Sequence, residues 1–248
     1  AAAGWRAFAL GHAATAAAAV FFVGAVGRRQ FGSHGWVAGL FVALSPLFML
    51  SAATGQSNSS GIFWLALALF LHRGTPGSRL AAGLVAGLAL WTRYEQAPYL
   101  LAFVVADAAR HRDGRLIAGF LAVPVAYVGA GAFYHGDPLW VLSWPPVLPR
   151  ELTPSTMGPT AASGETLALV LRGLLQVSPA VGFALAAVSF SDAQPMLRAI
   201  SVAFMVTFAL QLVPPIAGGY FNYDYTPRYA LNHLVASSLV AAGALSTW

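Results

Sequence analysis

The chain has 248 residues, of which 58% are hydrophobic and 8% charged, and it contains no cysteine. A water-soluble domain carries about 25% charged residues, so too few polar side chains are present here to clothe a solvated surface. Apolar runs recur from Trp5 to the C-terminus, which excludes a soluble domain with one anchor or a cleaved leader and a disordered chain, and the absence of cysteine excludes a disulfide-stapled scaffold and a thiolate metal site.

In chain order, the apolar runs predict membrane segments at Trp5 to Val26, Trp36 to Ala53, Ser59 to Leu71, Leu80 to Trp91, Ala97 to Ala109, Leu116 to Phe133, Thr166 to Phe190, Met196 to Pro214 and Tyr229 to Leu245. The expected fold is all-α, a polytopic transmembrane helical bundle of about nine segments in one domain, 1–248. A barrel is not expected, because its strands would alternate in polarity and these runs are continuous. The third to fifth segments hold only about a dozen apolar residues each, short against the roughly 20 a full crossing needs. They are expected to tilt or to extend into polar turns packed within the protein. Between the sixth and seventh segments lies an external loop at 134–165, interrupted by Pro138, Pro145, Pro146, Pro149, Pro154 and Pro159. Those prolines forbid a long regular helix. Its Trp140 and Trp144 suit the headgroup region, where an indole buries its ring and keeps its N–H wet.

All thirteen basic residues are arginine, and they are scattered in short loops rather than gathered into a stripe interleaved with aromatics, so no nucleic-acid partner is expected. Alternate loops carry Arg28, Arg29, Arg73, Arg79, Arg110, Arg112, Arg115 and Arg198. The positive-inside rule makes that side cytoplasmic. Arg6, Arg93, Arg150, Arg172 and Arg228 fall on the other side. With Asp107, Asp113 and Asp192 inside, and Glu95, Asp137, Glu151, Glu165 and Asp224 outside, the whole surplus of +5 lies on the inner face. The inner loops, such as His72 to Arg79, are explained by topology alone. The outer face is neutral and chemically mixed, and function is expected there.

Four outer constellations could carry chemistry. In Thr92-Arg93-Tyr94-Glu95, the arginine and glutamate either hold an anionic headgroup or pair with each other across a helix break. Gly218 to Tyr229 presents Tyr220, Tyr223, Asp224, Tyr225 and Arg228 on a glycine-hinged loop. That set suits a phosphosugar, with rings against the sugar and a guanidinium fork on phosphate, although an aromatic belt would also contain the tyrosines. In His135-Gly-Asp-Pro-Leu-Trp140, Asp137 is a candidate base or ligand, but an aspartate bonded to its own backbone in a turn is favoured. The uncharged loop Thr54 to Ser60 offers Gln56 and Asn58 to a polar cleft, or its serines cap the next helix. No phosphate-binding glycine loop with Lys and Ser/Thr, no His-Glu-x-x-His and no paired His/Asp cluster at metal spacing is present. The six histidines are dispersed, and no metal ligands are assigned.

Four stretches, Leu44-Ser-Pro-Leu47, Ala82-Gly-Leu-Val-Ala-Gly-Leu-Ala-Leu-Trp-Thr-Arg-Tyr-Glu95, Tyr134-His-Gly-Asp-Pro-Leu139 and Pro227-Arg-Tyr-Ala-Leu231, occur in an order and placement that resembles the GT-C superfamily of integral-membrane glycosyltransferases, which includes the protein O-mannosyltransferase-like and aminoarabinose-transferase-like families. The resemblance implies transfer of a sugar from a polyprenyl-phosphate donor to a lipid, glycan or protein acceptor on the extracytoplasmic face of a membrane, here the bacterial inner membrane. It implies donor-phosphate contacts from Arg93 and Arg228. Sugar or lipid contacts would come from Tyr94, Glu95, Tyr225 and Asp224, and an outer polar cleft would include Gln56, Asn58 and Asp137. Membrane lipid and the polyprenyl-phosphate sugar are the implied partners, and in some members of the superfamily a divalent metal assists. The catalytic carboxylate of that superfamily lies in the first external loop, between its first and second helices. This chain starts Ala1-Ala-Ala-Gly without an initiator Met and resembles the family from the second helix onward, so the acid is expected upstream. The alternatives are a non-catalytic subunit of a membrane-protein complex, packed through Ala/Gly-rich helix faces, and a lipid or solute transporter, although no repeated halves are visible.

Overall fold

The computed structural model describes residues 2–55, 57–93, 96–140, 199, 201–207 and 231–246. Every regular element among them is helical. They are α1 (Ala2–Phe31), α2 (Val37–Ala43), α3 (Pro46–Ala53), α4 (Ser57–Leu71), α5 (Pro76–Thr92), α6 (Ala97–His111), α7 (Arg115–His135) and α8 (Leu234–Ser246), with 3-10 turns at Gly32–Trp36 and Leu231–His233. Residues 201–207 are helical as well. The predicted segments at Thr166 to Phe190 and most of Met196 to Pro214, together with the loop beyond Trp140, lie outside the described residues.

By length and composition, two stretches can cross a membrane, Gly4–Ala43 and Arg115–His135. The first contains α1, whose 30 residues reach about 45 Å at 1.5 Å per residue. It also contains a reversal. Gly35 packs against the backbone of Gly27, and Gly39 lies against Val20 and Gly24, so α2 returns antiparallel along α1.

The segment expected as one helix from Trp36 to Ala53 is broken. Ser45 is extended (φ −73°, ψ 112°), its Oγ accepts from the Phe48 N–H at 3.3 Å, and Pro46 occupies the first turn of α3. A proline there removes an amide that has no helical partner anyway, but within a continuous helix it would break one. Thr75 and Pro76 start α5 in the same way. Turns close the other ends: Arg112 (φ 55°) terminates α6, Gly114 (φ 64°) precedes α7, and Gly136 (φ 66°) follows it.

Among the described residues, α5 and α7 form the most extensive helix–helix contact, and they run parallel. A Cβ on Gly83 would fall on the Leu116 carbonyl, and one on Gly119 would fall on that of Leu80. One turn on, a Cβ at Gly87 would lie 2.8 Å from both the Phe120 carbonyl and Val123. Small residues at four-residue spacing let two backbones approach in this way. The core around this crossing is Ala-rich, with Ala82, Ala86, Ala89, Phe103, Leu116 and Phe120 buried. Large apolar side chains such as Leu101, Val105, Val125 and Phe133 face outward, the arrangement of a bundle surrounded by lipid.

The helices place their termini at two ends. Arg29 of α1 reaches the last turn of α4, Asp107 of α6 meets His72 just after α4, and Gly243 of α8 packs on Phe31. Arg28, Arg29, Arg73, Arg79, Arg110, Arg112 and Arg115 therefore share one end. At the other end, Gly55 packs against Phe8 and His12, Gly61 of α4 meets Arg93, and Tyr99 of α6 meets His233.

Candidate functional site

The end opposite the arginine cluster contains buried polar side chains in a number that an apolar bundle does not require. Asn58 and Ser59 occupy the first turn of α4, and Gly61 follows on the same side. At Gly61 the missing side chain makes room for the Arg93 stem and the Gln96 amide, whose Nε2 would lie 3.0 Å from a Cβ there. Arg93 leaves α5 in extended conformation (φ −152°, ψ 98°), and its carbonyl accepts from the Gln96 N–H at 3.1 Å. The interruption of helix between α5 and α6 thus lays the Arg93 stem and the Gln96 amide side by side against α4. One turn into α6, the Tyr99 hydroxyl hydrogen-bonds His233 Nδ1 in the 3-10 turn Leu231–His233. That turn packs on α4 and brings in Asn232. The His233 ring is also edge-on to Phe204 at 5.4 Å.

Gln96, Asn232 and Asn58 are 0%, 1% and 2% exposed. Both amide atoms of Gln96 and of Asn232, and Oδ1 of Asn58, have no hydrogen-bond partner among the described residues. Leaving such a group buried and unsatisfied costs about 1–3 kcal/mol, and native structures normally supply a partner, water or ligand. Amides both donate and accept, as sugar hydroxyls do. The arrangement can therefore hold a hydroxylated group beside a guanidinium that suits a phosphate.

Among the outer-face candidates read from the sequence, Arg93 lies against Gly61, one turn along α4 from Asn58. Asp137 does not join them. Its Oδ1 accepts from the Leu139 N–H at 2.8 Å and its carbonyl from the Trp140 N–H at 3.2 Å, the aspartate turn expected from Gly-Asp-Pro. Gln56, Tyr94, Glu95, Asp224, Tyr225 and Arg228 lie outside the described residues. Trp140 is buried, and its indole N–H is not wet but donates to the Val128 carbonyl at 2.9 Å; its ring stacks on His135 at 5.0 Å. Gln96, Asn232 and the Tyr99–His233 pair escaped the sequence reading. A signal for the latter group existed, since Asn232-His233 places two polar residues in succession inside an apolar run, where their burial is costly without a partner.

The arginine-rich end is built differently. Arg79 is 1% exposed. Its Nε and Nη2 donate to Asp107 Oδ1 and Oδ2 at 2.8 and 2.6 Å, and its Nη1 donates to Asp113 at 2.5 Å. His72 Nε2 donates to Asp107 Oδ1 at 2.7 Å, and His111, one turn beyond Asp107, approaches the same oxygen at 3.9 Å. Arg79 was expected to report topology only. In fact its charge is buried, because the first turn of α5 projects it onto α6, and Asp107 and Asp113 compensate it. Burial pulls the His72 pKa below its ordinary value, partly offset by the hydrogen bond to Asp107. The Arg79 guanidinium and the Arg115 N–H hold the Asp113 carboxyl below the usual carboxylate range. Arg29 donates to the Leu69 and Phe70 carbonyls at 2.7 and 3.0 Å, satisfying the C-terminal turn of α4 with a cation.

No curated protein and no solved structure matches the chain. Residues 3–133, from α1 through nearly all of α7, match the family model described as dolichyl-phosphate-mannose-protein mannosyltransferase. That stretch covers just over half of the chain and includes α5 with Arg93, the break before Gln96, and the Asn58 turn. The chain belongs to this family of GT-C integral-membrane glycosyltransferases.

Proposed function

We propose that the chain takes part in transferring a sugar from a polyprenyl-phosphate donor to an acceptor at the extracytoplasmic face, and that the end carrying Arg93, Asn58, Gln96 and Asn232 forms part of the donor site. The observation that carries this reading is the set of buried amide atoms of Gln96, Asn232 and Asn58 that lack a partner among the described residues, at the same end of an otherwise apolar, lipid-compatible bundle as Arg93. The opposite end collects seven of the arginines that the positive-inside rule keeps in the cytoplasm, so the amide end faces outward. Membership of a family described by a dolichyl-phosphate-mannose donor supports the same chemistry.

In this reading the chain forms about nine membrane segments in one domain of a bacterial inner membrane, with residues 5–133 supplying the first six. Arg93, joined by Arg228, holds the donor phosphate. An acceptor hydroxyl attacks the anomeric carbon, the bond from that carbon to the phosphate oxygen breaks, and the hydroxyl proton passes to a carboxylate acting as general base. The guanidinium groups stabilise the charge left on the polyprenyl phosphate. Tyr94, Glu95, Asp224 and Tyr225 flank the sugar or lipid, and Gln56 extends the polar cleft.

The test is transfer from a polyprenyl-phosphate hexose by the full-length protein in membranes. Arg228→Ala is expected to abolish turnover, and Arg93→Ala to lower kcat/KM by about 100-fold, the order seen when a transition-state donor is removed. Membrane insertion and expression should stay at wild-type level in both. Wild-type turnover in both variants would remove the arginines from the site and sink the reading.

A further inference from the structure

At the arginine-rich end, His72 Nε2, one Asp107 carboxylate oxygen and a ring nitrogen of His111 all lie within 4.8 Å of one another. Asp107 and His111 are one helical turn apart on α6, and His72 enters from the end of α4. Three ligand atoms, two from α6 and one from the end of α4, close enough together to share one cation, form half of what a first-row metal site needs. The other half is an outer shell that fixes the ligands, and it is present. Arg79 grips both oxygens of Asp107, and Phe103 lies edge-on to the His72 ring at 5.2 Å. Asp107 is nearly fully buried, while the His111 side chain is 25% exposed, so the cluster opens toward solvent on one side.

We propose that His72, Asp107 and His111 form a binding site for a zinc-type divalent cation that staples the end of α4 to α6. Two imidazoles and one carboxylate suit zinc rather than calcium or magnesium, which prefer oxygen donors. Water completes a tetrahedral set. The cation takes the place of the proton now shared between His72 Nε2 and Asp107 Oδ1. The His72 imidazole stays neutral by carrying its proton on Nδ1, so no net proton is released. Burial favours that neutral form. The neighbouring guanidinium does not forbid a cation, because Arg79 faces two carboxylates, Asp107 and Asp113. Arg115 reaches Asp113 only from the solvent side, at 3.9 Å. The site is distinct from the outer amide cluster and does not depend on the donor chemistry proposed above.

The experiment is titration of ZnCl2 into the full-length, chelator-stripped protein in detergent, with any polyhistidine tag removed, read by calorimetry and by counting bound metal. One zinc per chain is expected. His111→Ala should weaken binding at least tenfold, and His72→Ala with His111→Ala should abolish it. His34→Ala with His135→Ala, which removes histidines elsewhere, should change nothing. His111→Ala leaves the Arg79–Asp107 contact in place, so its folding can be checked by an unaltered elution profile and helix content. No zinc uptake by the wild type, or uptake unchanged in folded His111→Ala, overturns the proposal.

Discussion

The two ends of the bundle answer the same physical problem in opposite ways. Both bury polar groups among apolar helices, which is expensive unless each group finds a partner. At the arginine end the problem is closed within the protein: Arg79, Asp107, Asp113 and His72 share four hydrogen bonds of 2.5–2.8 Å, and Arg29 caps α4. At the amide end it is left open, with both amide atoms of the buried Gln96 and Asn232, and Oδ1 of the buried Asn58, lacking partners among the described residues. A satisfied network holds helices in register. An unsatisfied one is where a ligand or water supplies the missing bonds.

Substitution can break this contrast. The largest effect on stability is expected from Arg79→Ala, which leaves Asp107 buried without its guanidinium and should cost about 3–5 kcal/mol, read as a lower thermal midpoint in detergent. A midpoint equal to wild type would show that the closed end does not hold the bundle. A smaller effect of opposite sign is expected at the amide end. Replacing Gln96 and Asn232 together by Leu removes unpartnered amides, so stability should hold or rise by about 1–2 kcal/mol while sugar transfer falls. Loss of stability without loss of transfer would mean that these amides are structural. The smallest effect belongs to Asp113→Asn on the exposed rim of the closed end. The folded-state pKa of Asp113 is depressed, so its contribution is fully present above about pH 4 and is lost as pH falls through the lower folded value. Melting curves of wild type and Asp113→Asn should therefore differ slightly at neutral pH and converge in acid.

Much of the architecture was legible in the residues. Six predicted segments correspond to described helical stretches through His135. The break at Ser45-Pro46 was missed because the apolar run continues through it, while the proline acts on backbone bonding rather than on polarity. The Asp137 turn was foreseen because an aspartate can bond its own backbone without distant help. Arg93 and Asn58 were singled out by their polarity, but Gln96 and Asn232 gain significance only from what they lack, which is a tertiary property. The histidines were read as dispersed because His72 stands 35 residues from Asp107, which it meets only in the folded bundle.

From the sequence alone follow the helical class, the approximate positions of most helices and the separation of charge between two faces, because each depends on local composition and short loops. Only the tertiary structure decided which side chains meet. Gly83, Gly87 and Gly119 let α5 and α7 approach backbone to backbone, and the register of packed helices then carried Arg79 onto Asp107 at one end and Gln96 toward Gly61 at the other. Those encounters depend on how surfaces interlock across tens of residues of chain, and hydropathy along the chain carries no record of that fit.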